Sequence, residues 1–224
     1  MTFYDILQDN TANERKALLS TPLIEAALSG SITAEQYLGF LGQAYHHVKH
    51  TVPLLMALGS RLGAQHAWLQ PAIVEYIEEE AGHEQWILND IKAAGGDAEA
   101  ARRAPALLET EAMVAYAYYQ IDRVNPLGFL GMVHVLEGTS VSVATDAARH
   151  IKQALGLPDT AFSYLTSHGS LDLEHVQHFA LLLEDVTEPT DRQAIIGCAK
   201  SFYILYERIF RRVFDMSEAA HVVA

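Results

Sequence analysis

Cysteine is almost absent. Cys198 is the only one in 224 residues, so no internal disulfide framework exists and stability rests on a packed core. Basic residues are scarce as well. Fifteen Lys and Arg stand against twenty-eight Asp and Glu, a formal net charge of −13, and no basic cluster exceeds Arg102-Arg103 or Arg211-Arg212. A phosphate-tracking surface is excluded on that ground, and nucleic acid is not an expected partner. No run reaches the about eighteen uninterrupted apolar residues of a membrane span. The start, MTFYDILQDNTANERK, has neither the basic nor the apolar region of a signal peptide. These absences predict a soluble cytoplasmic protein without a membrane partner. Histidine is plentiful, eleven in all, yet none precedes His46.

Seven prolines and fourteen glycines punctuate long stretches of helical periodicity. The pattern predicts helices over 3–19 and 22–28, the second ending at Gly30. Ser31 or Thr33 caps a long helix that runs to Gly63, with a kink at Pro53. A further helix spans 70–94 and stops at Gly95-Gly96. Others follow at 107–123, 126–156, 159–186 and 189–216, with SEAAHVVA as a frayed tail. No segment alternates with period two long enough to argue a sheet. The expectation is one all-α domain over 1–224, a bundle of about seven principal helices with short connections.

Within the helix at 159–186, SHGSLDLEHVQHF places His168, Asp172 and His175 at steps of four and three residues. Such steps rotate by about 400° and about 300°, so the three side chains share one helix face. Imidazole and carboxylate suit a divalent iron, manganese or zinc ion. Two other helices add candidates. EYIEEEAGHEQW holds Glu80 and His83 as an E-x-x-H pair, with Glu79, four before His83, as the alternative carboxylate. Glu137 sits in HVLEGTSVSVA, an otherwise apolar and small-residue run, where an uncompensated carboxylate is costly to bury. Three histidines and three carboxylates suit two metal ions. The small positive remainder favours an anionic substrate group or reduced oxygen species.

E-x-x-H, a Glu 54 residues after the His, and H-x3-D-x2-H another 31 residues on resemble the haem-oxygenase-like di-iron oxidase and oxygenase family. The resemblance covers nearly the whole chain in helix order. It implies the helical fold shared by haem oxygenase, TenA (thiaminase II) and PqqC. It also implies that Glu80, His83, Glu137, His168, Asp172 and His175 bind two Fe(II) ions, with O2 as co-substrate. Members include 1-alkene-forming fatty-acid decarboxylases, N-oxygenases, amino-acid-cleaving enzymes and the CADD-type proteins. The CADD type places its first carboxylate seven residues before the histidine, where this chain has Tyr76. The E-x-x-H spacing is similar instead to the alkene-forming branch.

Relatives on the same fold differ by what this chain lacks. TenA hydrolysis needs a cysteine on the central helix, where this sequence has Thr139 and Ser140. Haem oxygenase needs a proximal histidine on its first helix. PqqC grips a polycarboxylate with basic residues that are missing here. A ferritin-like protein would carry a second E-x-x-H.

One more cluster stands out, Tyr45-His46-His47-Val48-Lys49-His50. His47 and His50 are candidate pocket residues that could hold a substrate carboxylate, while the bland alternative is a surface His-Lys face. Tyr76 and Tyr164, one or two turns from candidate ligands, are candidate relay groups or else core tyrosines. The function expected is an O2-activating non-haem di-iron oxidase or oxygenase. Its expected substrate is a small molecule bearing a carboxylate, and its expected assembly a homodimer or homotetramer. The alternative is a metal-free TenA-like hydrolase or small-molecule-binding protein.

Overall fold

The computed structural model describes the backbone of residues 1–223 and the side chains of residues 1–167 and 176–219. No strand occurs among the described residues. The chain starts with α1 (Phe3–Asn10), α2 (Ala12–Leu19) and α3 (Pro22–Ser29). Next come α4 (Ala34–Val48), α5 (Thr51–Arg61), α6 (Gln70–Glu80) and α7 (His83–Ala93). A short α8 (Ala98–Arg103) precedes α9 (Leu108–Tyr119) and the long α10 (Leu130–Leu155). The chain finishes with α11 (Ser163–Glu184) and α12 (Pro189–Val223).

Among the described residues three of the expected helices are each divided in two and a short α8 is added, giving twelve α-helices. Thr11 separates α1 from α2, its hydroxyl donating to the Leu7 carbonyl at 2.8 Å. The kink expected at Pro53 is a break four residues earlier, at Lys49-His50. Proline has no N–H for the carbonyl one turn back, and its ring crowds that turn. The helix expected over 70–94 is two helices that meet at Ala81-Gly82, where Gly82 has φ +93°. The tail expected to fray from 217 continues α12 instead. Buried Ser217 accepts a hydrogen bond from Gln36 at 3.0 Å, which ties the end of α12 to the start of α4.

Gln36 has a second role. It closes a capping box with Thr33, accepting from the Thr33 N–H at 3.0 Å while its own N–H donates to the Thr33 hydroxyl at 3.1 Å. Of the two caps predicted for α4, Thr33 is the one used.

α10 forms the centre, packed against α3, α11 and α12. With the turn before it, Pro126–Leu155 is long and apolar enough to cross a membrane by composition alone, yet 56% of that window is buried in the bundle. Its approach to α12 depends on Gly131, where a Cβ would lie 2.6 Å from both the Ala199 nitrogen and the Ile195 oxygen. Around α10 the core gathers Tyr37, Leu41, Leu54, Phe162, Phe179, Phe202 and Tyr203, all nearly inaccessible to solvent.

Candidate functional site

A cavity of about 70 Å³ lies where α4, α5, α6, α10, α11 and α12 meet. Its walls are mostly apolar, from Leu54, Leu55, Phe129, Met132 and Leu136, and into them project Glu80 and Glu137. No Lys or Arg lines it among the described residues.

Glu80 is the last residue of α6 and His83 the first of α7. The pair was expected on one turn of a single helix; it is formed across a corner instead. The left-handed Gly82 turns the chain so that His83 Nδ1 meets Glu80 Oε2 at 3.1 Å, both side chains mostly buried. Trp86 stacks on the His83 ring at 4.0 Å between centroids, so the imidazole is held at its edge and its face. Glu79 points elsewhere, into an open groove shared with Glu75, His178 and Asp185. Of the two carboxylates left open by the sequence, Glu80 faces the cavity.

Glu137 projects from the middle of α10 with Oε2 buried. Tyr76 stands beside it on the same cavity. Burial pushes the Tyr76 phenol far up from its ordinary pKa, and the Glu137 carboxylate adds to this, followed by Glu79 and Glu80. Tyr76 is therefore a neutral hydroxyl, a donor surrounded by carboxylates.

The histidine cluster divides by helix face. His47, almost wholly buried, lines the cavity and meets Tyr206 edge-to-face at 5.7 Å. His46 and His50, four residues apart, turn outward to a surface groove with Lys49 and Tyr118. His50 Nδ1 lies 3.4 Å from the Tyr118 hydroxyl, and His46 Nδ1 lies 3.1 Å from Lys49 Nζ. Burial first, then Lys49, lowers the pKa of both imidazoles. His50 is thus separated from the cavity that sequence spacing assigned to it.

Tyr164 lines the cavity from the first turn of α11. Asp90 on α7 positions that turn: its Oδ2 accepts from the Tyr164 N–H at 2.8 Å and its Oδ1 from the Ser163 N–H at 3.0 Å. His168, Asp172 and His175 lie outside the described residues. Among the described residues no group of three or more His, Cys, Asp or Glu stands close enough to hold a metal.

The structure adds Tyr206, which the sequence did not single out, and Ser140, named there only for standing where TenA carries a cysteine; both line the same cavity. Tyr206 precedes Phe210 by one turn on the buried face of an amphipathic helix, a pattern no different from that of a core tyrosine. Cys198 is buried on α12, and burial raises its thiol pKa. It does not line the cavity.

A family model described as iron-containing redox enzyme matches residues 38–207. The chain belongs to this iron-containing redox enzyme family. Its fold is that of haem oxygenase and TenA. A domain of unknown function with a heme oxygenase-like fold from Shewanella denitrificans superimposes with a TM-score of 0.89 at 22% identity, over 100% of this chain and 97% of that one. A TenA homolog from Pseudomonas syringae gives 0.79 at 9% identity, over 95% and 93%. Heme oxygenase-1 from Synechocystis, solved in complex with heme, gives 0.76 at 10% identity, over 100% and 97%. At these identities the likeness shows the fold. No curated protein matches the sequence.

Proposed function

We propose that this protein is a non-haem di-iron oxidase or oxygenase that uses O2 on a small, carboxylate-bearing substrate. One observation carries the reading. Glu80 and Glu137 face a largely apolar cavity that has no Lys or Arg among its described lining residues. Two carboxylates brought to one largely apolar cavity favour a bound cation, which would offset the cost of burying their charge.

The donor types present, carboxylate and imidazole, are those that iron takes. Glu80, His83 and Glu137 would supply one part of the ligand set, and His168, Asp172 and His175 from α11 the rest. Two Fe(II) ions held there would supply electrons for O2 and open positions for O2 and a substrate carboxylate. The chain does the remainder. Glu80 and Trp86 fix the His83 ring, and fixed rings bind metal better than mobile ones. Tyr76 keeps its proton and directs a donor at the Glu137 side of the cavity. Leu54, Leu55, Met132 and Leu136 exclude water from the reacting atoms.

Anaerobic titration with ferrous ion tests the reading. The expected result is two irons per chain, an optical change on mixing the loaded protein with O2, and reduced iron uptake by Asp172→Ala. Uptake far below one iron per chain overturns it and leaves the metal-free hydrolase or binding protein.

A further inference from the structure

A groove of about 440 Å³ lies between the α4–α5 break and α9. It shares no lining residue with the Glu80–Glu137 cavity. Gln43 on α4 joins its two walls, accepting from the Leu107 N–H at 3.0 Å and the Thr110 hydroxyl at 2.7 Å, which holds the start of α9 in place. His46, Lys49 and His50 line one wall and Tyr118 the other, while Pro105, Val114 and Ala115 add apolar surface.

Donors outnumber acceptors in this groove. Burial and Lys49 lower the pKa of His46 and of His50 below the ordinary 6.5, so both rings are chiefly neutral at pH 7. An ammonium group can only donate. The 3.1 Å contact from Lys49 Nζ therefore makes His46 Nδ1 an acceptor and puts that ring's proton on Nε2, where no acceptor meets it among the described residues. Lys49 itself stands 5.3 Å from the centre of the Tyr45 ring, and no carboxylate pairs with it among the described residues. His50 and Tyr118 share one hydrogen bond, Nδ1 to hydroxyl at 3.4 Å. If the phenol donates, the His50 Nε2–H is left over; if the imidazole donates, the phenol O–H is left over. Either way three groups offer a donor to a ligand: Lys49, His46 and the His50–Tyr118 pair.

We infer that the groove binds a small phosphate monoester, with its phosphate against these three donor groups and its organic part on Pro105, Val114 and Ala115. A phosphate ester presents three terminal oxygens to them where a carboxylate presents two, and lysine serves phosphate as a point charge. One phosphate needs only one such cluster, unlike the row of cations that a nucleic acid requires. Glu111 is the one carboxylate on the groove among the described residues, and it opposes the anion. It stands seven residues before Tyr118 on α9, about 10 Å along the axis. Physiological salt, with a Debye length of about 8 Å, largely screens a charge at that range. The inference rests on the groove alone and is independent of the di-iron reading.

Calorimetric titration of the full-length protein with phenyl phosphate tests it. Inorganic phosphate, which has no apolar part, should bind about tenfold more weakly. Benzoate, with two oxygens, should also bind more weakly, and uncharged phenol should not bind. Lys49→Met is expected to weaken phenyl phosphate about 10- to 100-fold, the loss of a charged hydrogen bond. His50→Leu combined with Tyr118→Phe should weaken it about tenfold. Glu111→Gln should tighten it about twofold. Glu137→Gln, in the cavity, should leave it unchanged. Lys49 and Glu111 are both exposed, so these two variants report in opposite directions even if the double variant fails to fold. Benzoate binding as tightly as phenyl phosphate, or Lys49→Met without effect, overturns the inference. So does a change with Glu137→Gln, which would place the anion in the cavity instead.

Discussion

Asp90, fully buried on α7, accepts the Ser163 N–H at 3.0 Å and so caps α11 from another helix. The same carboxylate accepts the Tyr164 N–H and the Ser163 hydroxyl. One side chain therefore joins the helix that starts with His83 to the helix that carries the His168–His175 motif. Asp90→Ala removes the cap and leaves buried N–H groups unpaired, for a loss of about 2 kcal/mol. For a chain of this size a fall in Tm of roughly 4–8 °C is expected. Asp90→Asn keeps one acceptor oxygen and should fall between the two. Thermal unfolding followed by circular dichroism checks the order.

His134 predicts an acid limb in the stability profile. Buried among Tyr4, Phe179 and Tyr203, with Thr11 at 3.5 Å, it has its pKa lowered from 6.5 to about 4 by burial, then by Arg15. The unfolded chain takes up this proton as pH falls through 6.5, while the folded chain takes it up only near 4. The contribution is complete above the unfolded value, declines between the two, and is gone below the folded one. It amounts to roughly 3 kcal/mol. Urea unfolding between about pH 7 and about pH 4 should show a shallower slope for His134→Phe than for the natural protein.

Gly82→Ala separates backbone strain from crowding. A Cβ at Gly82 meets nothing within 4 Å, yet its φ of +93° is one that L-residues avoid. The expected loss of stability is about 1–2 kcal/mol, all of it conformational. Because Gly82 forms the corner between Glu80 and His83, ferrous affinity should fall as well. A variant that loses stability but binds iron as before would show that the corner is not needed for the site.

Tyr76→Phe removes a hydroxyl and leaves the ring. Loss of a group that supports a metal ligand typically costs about 10- to 100-fold in affinity, and a fall in this range is expected in anaerobic ferrous titration. Unchanged affinity would make Tyr76 a packing residue.

Signals confined to one turn of chain were legible in the sequence. Thr33 with Gln36 made a recognisable cap, and Gly30 ended α3 in the left-handed conformation as expected. Pro53 marked a disturbance whose position follows from the missing N–H. The corner at Gly82 was hidden, because a glycine inside a periodic stretch is compatible with an unbroken helix. His50 shows the same limit. Its spacing from His47 permits a shared direction, but the break at Lys49-His50 releases the two from a common helix.

The sequence by itself determined the all-α class, the order of helices and the residue types available for a metal. These depend on periodicity, caps and composition, which act over a few residues. Only the tertiary structure decided that Glu80 rather than Glu79 faces the cavity, and that His47 rather than His50 lines it. It alone brought Glu80 and Glu137 to one cavity, with Tyr206 from α12 in its wall. Those relations depend on how helices distant in sequence pack together, and no local signal encodes which face of α6 or α12 meets α10.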